Sequence, residues 1–220
     1  MRLALALAML AACGRGRFDL RVDALADTPI DGAPEVHVFR DGLDGYAGTV
    51  DTYLDRGSPT LADFATPIFR WHDDTPLISM QHGLVRFTGV FGPGAIPVGS
   101  TVITATLQLV VIDSSIVPPG DVQEAAVDWD NAITWDTFGA TPGVDPRDVG
   151  ARVAEAPIDL GLHSIDVTAS LRAWSVDPAS NRGWLISPAP LNGDAVHVAS
   201  SEAADPTTRP QLTVEFIRAP

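Results

Sequence analysis

TVITATLQLVVI, residues 101–112, alternates apolar and polar side chains almost without a break. Ile103, Ala105, Leu107, Leu109 and Val111 fall on one side of an extended chain, and Thr104, Thr106 and Gln108 on the other. A side-chain period of two predicts a strand with one face in a core and one in water. The preceding GPGAIPVGS, residues 92–100, is rich in turn formers and reads as a loop that delivers the chain to Thr101. Gly92-Pro93-Gly94 is a turn rather than a phosphate loop, since no helix follows it.

Carried outward, the same reading places short strands at Val36–Phe39, Gly48–Leu54, Thr66–Trp71 and Leu84–Phe87 before this segment. After it come Val122–Val127, Ala151–Ala154, Ser164–Val167, Gly183–Ser187, Val196–Ala199 and Gln211–Ile217. In the last of these, Leu212, Val214 and Phe216 share a face. One helix is expected, Thr168–Trp174, because Val167, Leu171 and Trp174 recur at i, i+4 and i+7, with Thr168 or Asp166 as its cap. The chain has 220 residues, 45% of them hydrophobic, with 19 glycines and 18 prolines. That suffices for one domain with a sizeable core, built of many short strands joined by turns. With no βαβ alternation, the fold expected over residues 34–220 is all-β: a jelly-roll-like antiparallel β-sandwich with one short helix.

The formal charge is -14, and every basic residue is arginine. Such a surface repels phosphate backbones, so nucleic acid is excluded as a partner class. The single cysteine, Cys13, rules out an intramolecular disulfide. It follows MRLALALAMLAA, an arginine and then an apolar run too short to span a bilayer as a helix. Leu10-Ala11-Ala12-Cys13 resembles the lipobox of bacterial lipoproteins. That resemblance implies removal of residues 1–12, lipid on the Cys13 thiol, and attachment to the membrane through the lipid alone. Each buried methylene of the acyl chains contributes about 0.8 kcal/mol to that anchorage. Gly14 after the cysteine resembles the outer-membrane-sorted pattern, so the expected location is the bacterial outer membrane or cell surface. Residues 13–33 then read as the lipidated cysteine and a flexible tether.

Five stretches, in this order, resemble one family. They are DGLDGYAGTVDTYLDRGSPTLADF (41–64), HGLVRFTGVFGPGAIPVGSTVITATLQLVV (82–111), AVDWDNAITWDTFG (126–139), IDVTASLRAWSVDPASNRGWLISP (165–188) and VHVASSEAADPTTRPQLTVEF (196–216). The chain resembles the DNRLRE domain, also called the disaggregatase-related or family 96 carbohydrate-binding domain, over nearly everything after residue 40. The resemblance implies a secreted or surface-held β-sandwich of the kind that rides beside polysaccharide-degrading domains, here with no catalytic domain attached. It also implies that Ser200-Ser201-Glu202 ends one strand and Arg209-Pro210 starts the last. The expectation is a hairpin locking the C-terminus, its loop closed by a Glu202–Arg209 salt bridge.

The expected function is therefore a non-catalytic, lipid-anchored, carbohydrate-binding sandwich. The alternative is a structural or adhesion module whose partner is another envelope protein. Trp129 and Trp135, flanked by Asp128, Asp130 and Asp136, are candidate sugar platforms, with Tyr53 a third candidate and Tyr46 an open one. Core filling explains both tryptophans as well. In Trp71-His72-Asp73-Asp74, the carboxylates of Asp73 and Asp74 are candidate calcium ligands; no other cofactor is expected. No HExxH or GxSxG motif and no positioned carboxylate pair signals catalysis.

Cys13→Ser is expected to abolish incorporation of labelled palmitate and to release the protein from the membrane fraction. The melting transition of the domain should not move, which calorimetry on both forms checks.

Overall fold

The computed structural model describes residues 32–74, 79–114, 118–190 and 194–219. Its elements in chain order are β1 (Glu35–Phe39), β2 (Thr49–Asp55), β3 (Ile68–Asp73), β4 (Met80–Phe87), β5 (Thr101–Asp113) and β6 (Asp121–Ala125). They continue with β7 (Val149–Glu155), β8 (Gly161–Asp166), helix α1 (Thr168–Val176), β9 (Trp184–Ser187), β10 (Val196–Ala199) and β11 (Gln211–Ile217). All strand pairings are antiparallel. The hydrogen-bonded path runs β1-β11-β5-β10-β3-β4-β9-β6-β7, with β2 on β4 and β8 on β5. It curls over at β3, whose first residues pair with β10 and whose last two, His72 and Asp73, pair with β4. One strand thus joins two layers, and the fold is the all-β, jelly-roll-like sandwich with one short helix that the alternation predicts.

β5 organises the first layer. Leu107, Leu109 and Val111 are fully or almost fully buried, as the period of two requires. The phase slips at its start. Glu215 pairs with Thr104 but Phe216 pairs with Val102, a β-bulge that places an extra residue on β5. Val102 therefore takes the core position, and Ile103, expected inside, is only half-buried. Arg172 of α1 stabilises the bulge by donating from Nε to Val102 O and from Nη2 to Ile103 O, both at 2.9 Å.

The helix forms where its spacing predicts and runs two residues longer. Leu171 and Trp174 enter the core, and the Trp174 ring lies 5.0 Å from that of Trp184. Asp166 Oδ1 accepts the Thr168 N–H at 2.9 Å, while the Thr168 hydroxyl accepts the N–H of Ala105 on β5. Two side chains thus serve a helix start that has no conventional side-chain cap.

β10 and β11 do not form a hairpin. Val198 pairs with Val111 and Gln211 with Gln108, while β8 occupies the opposite edge of β5 over the same residues. The two strands are collinear along one edge, and Ser200–Pro210 is an excursion between them. Ser200 Oγ donates to Thr66 O at 2.6 Å, and Ser201 N–H donates to the Asp51 carboxylate at 2.8 Å. Arg209 closes the loop through backbone carbonyls, Ala203 O at 2.9 Å and Asp41 O at 3.1 Å. The expected Glu202–Arg209 salt bridge does not form, because Glu202 is exposed and the guanidinium is committed to those carbonyls.

β2, β4 and β9 of the second layer are buried on both faces. Their inner face, which carries Trp184, meets Phe69, Trp71 and the β5 and β11 side chains. Their outer face is covered by residues of the 126–148 loop, where Trp129 and Phe138 pack on Leu54, Leu84 and Leu185.

Val102→Ala should cost about 2 kcal/mol, and Ile103→Ala about 1 kcal/mol or less, although isoleucine loses more atoms. Urea unfolding of the two variants checks this inversion, which the uninterrupted alternation does not give.

Candidate functional site

Two of the sequence candidates for sugar contact are sealed. Tyr53 is 6% exposed; its hydroxyl accepts from Arg70 Nη2 at 3.1 Å, and the guanidinium lies over its ring at 4.6 Å. Trp129 is 4% exposed, with Nε1 donating to Arg182 O at 2.7 Å. Arg86 covers its ring at 4.9 Å and pairs with Asp128 at 2.9 Å. Neither ring presents a face to solvent: of the two readings of Trp129, core filling is the one observed, and Tyr53 is corrected from a platform candidate to a plug, each with its polar tip hydrogen-bonded. Trp135 is half-buried and stacks on His82 at 5.9 Å. Gly143, at φ +90°, passes so close beneath it that a Cβ would sit 2.7 Å from the indole.

The calcium candidates do not converge. Asp73 is buried on the face of β3 that carries Trp71, and the next residue of an extended chain points the other way. Asp74 N–H donates to Ser79 O, which continues the extended pairing. Among the described residues no group of three or more histidine, cysteine or acidic side chains is placed to hold a metal. Residues 75–78 and Cys13 lie outside the described residues.

A separate cavity lies at the open edge of the sandwich beside β1. It measures about 590 Å³ and is lined by β1, the 43–46 turn and the 89–95 loop. Half-buried His37 and Tyr46 line its wall, backed by Phe39 and Phe87, which are 2% and 1% exposed. His37 and Phe39 stack at 4.6 Å and 11°, Phe39 meets Tyr46 edge-on at 5.3 Å, and Tyr46 stacks on Phe87 at 6.5 Å. Local chemistry builds the wall: His37 and Phe39 are two apart on a strand and so share a face. The Tyr46 hydroxyl donates to Thr88 O at 3.0 Å, which holds the ring upright; burial and nearby Asp41 push its pKa up. At the rim, Asp44 is exposed and stands at φ +51°, a left-handed conformation that aspartate tolerates better than most residues. The opposite rim is the Gly92–Ile96 turn, closed by Ala95 N–H on Gly92 O and Gly92 N–H on Ile96 O. An apolar floor with one carboxylate and turn backbone at its lip is the makeup of a small-molecule site. Sequence reasoning leaves Tyr46 open and misses the groove, because its walls are separated by some forty residues and meet only when β1 becomes an edge.

Two buried ionisable groups flank the second layer. Desolvation, reinforced by Glu202, raises the Asp51 pKa to about 7 against the ordinary 3.8, and the Ser201 N–H offsets part of this. Burial lowers His82 to about 4 from 6.5, with Asp73 opposing, and its Nδ1 lies 3.2 Å from Ser187 Oγ. No family model matches the chain, and no curated protein is significantly similar to it.

The two groups give opposite pH slopes. Between the ordinary carboxylate value and about pH 7, the folded state holds the Asp51 proton that the unfolded chain has released, so stability falls as pH rises. Between about pH 4 and 6.5, the unfolded chain holds a proton that folded His82 refuses, so stability rises with pH. Thermal melts of the protein across this window should be nearly level with respect to these two groups. Asp51→Asn should expose the rise, and His82→Gln the fall.

Proposed function

We propose that residues 34–220 are a non-catalytic carbohydrate-binding sandwich, displayed at the bacterial cell envelope by a lipid on Cys13 and a tether over residues 13–33. The observation that carries this reading is the groove beside β1, where the half-buried rings of His37 and Tyr46 line a wall below Asp44, backed by buried Phe39. A pyranose offers an apolar C–H face and a belt of hydroxyls. The first suits the rings, and the second suits a carboxylate and turn backbone at the rim. Resemblance to the DNRLRE domain in five ordered stretches supports the same ligand class. The groove lining contains a single carboxylate, Asp44, whereas glycoside hydrolysis uses a pair across the scissile bond, so the reading is binding rather than cleavage.

A glycan array probed with the protein, with and without calcium, is expected to return polysaccharide ligands. His37→Ala should weaken binding about 2- to 10-fold, the equivalent of one aromatic stacking contact. Binding that survives His37→Ala but is lost in Trp135→Ala would move the site to the 126–148 loop. An array blank in both conditions would overturn the reading.

A further inference from the structure

We propose that the free edge of β8 is a docking site for an extended, basic and apolar segment of a partner protein, received as an added strand. The geometry of this edge is independent of the groove beside β1. β8 is paired on one side only, through Asp166↔Thr106 to Gly161↔Val111. Val167 N–H donates to Ala105 O at 2.9 Å, which sets the ladder phase. In an antiparallel pair the bonded residues alternate, so 165, 163 and 161 face β5, while the backbone N–H and C=O of Leu162 and Ser164 point outward. Among the described residues no other backbone group meets these two.

Such an edge is ordinarily blunted by proline, lysine or a covering loop. Here it carries Leu162, 64% exposed, beside Leu160 at 67% and Ile112 at 47% on the adjacent strand. A cavity of about 350 Å³ adjoins the edge, with Ile158, His163 and Ile165 in its lining. Backbone groups free to pair, exposed leucines and a pocket for alternate side chains are the three components of strand-addition recognition.

Charge selects the occupant. Asp159 and Glu155 lie beside the edge, Glu155 shared with Arg152, and Asp166 ends the strand with Arg172 near it; the local balance stays acidic, and the chain as a whole carries -14. Arg152 is taken by Asp121 at 2.5 Å and Glu155 at 3.6 Å. Two copies of this chain meeting edge to edge would set these carboxylates against each other, whereas arginine or lysine side chains on an incoming strand would neutralise them.

The test uses the full chain and two labelled octapeptides, one alternating Arg-Val and one alternating Glu-Val, followed by fluorescence anisotropy. The Arg-Val peptide should bind, more weakly as salt rises, and the Glu-Val peptide should not. Ser164→Pro removes an outward N–H that the β5 ladder does not use. Leu162→Arg changes an exposed side chain to a charge that repels the peptide. Each should weaken binding at least about tenfold with an unchanged melting temperature. If the proline variant does not fold, Leu162→Arg decides alone. Equal binding of both peptides, or binding indifferent to the folded edge variants, overturns the proposal. So does a dimer in sedimentation that Leu162→Arg abolishes, which would make the occupant a second copy. Slow amide exchange at Leu162 and Ser164 in the free chain, which would mean the edge is already covered by the chain itself, also overturns it.

Discussion

The structure depends on β5 carrying strands along both edges while keeping one face dry. Thirteen residues long, it pairs with β11 and then β10 on one side and with β8 on the other. A one-residue error of register anywhere along it would turn Leu107, Leu109 and Val111 outward together. The bulge near Ile103 is where the β5–β11 register changes, and there Arg172 receives the disturbed carbonyls. The helix is therefore more than a cover over one end of the core. It carries the side chain that hydrogen-bonds the carbonyls at the bulge, where the pairing with β11 changes register.

Much of this architecture is legible in the sequence. β10 and β11 begin and end where alternation places them, because both alternate cleanly and are bounded by turn residues. The rest is hidden for identifiable reasons. Burial of β2, β4 and β9 on two faces depends on Trp129 and Phe138, which sit in a loop and carry no period of their own. Ser-Ser-Glu and Arg-Pro do mark strand boundaries. The inference that they enclose a hairpin fails, because adjacency in sequence says nothing about which edge a strand rejoins. Tyr53 and Trp129 illustrate the ambiguity of aromatic residues near carboxylates, since the arginine partners that seal them, Arg70 and Arg86, lie on other strands. Of the groove beside β1, the sequence alone shows only Tyr46, as an unassigned ring.

The electrostatics divide in a similar way. Outside, carboxylates such as Glu35, Asp128 and Asp145 pair with arginines. Inside, desolvation favours the neutral forms of both Asp51 and His82, one as an acid and one as a base. Just below neutral pH the two groups therefore escape the cost of a desolvated charge. The Ser201 N–H on Asp51 also fastens the Ser200–Pro210 excursion to β2, which ties that loop to a carboxyl group that titrates near neutrality.

The chain enters the sandwich at β1, which among the described residues is hydrogen-bonded on one side, to β11, and its first paired residue, Glu35, is clamped by Arg218 at 2.7 Å. The same five residues supply His37 and Phe39 to the groove. Tension arriving through the polypeptide ahead of Gly32, and drag from anything held in the groove, would be borne by a single peripheral ribbon. The lining of the groove and the mechanical attachment of the domain's first strand are therefore coupled through one short stretch of backbone.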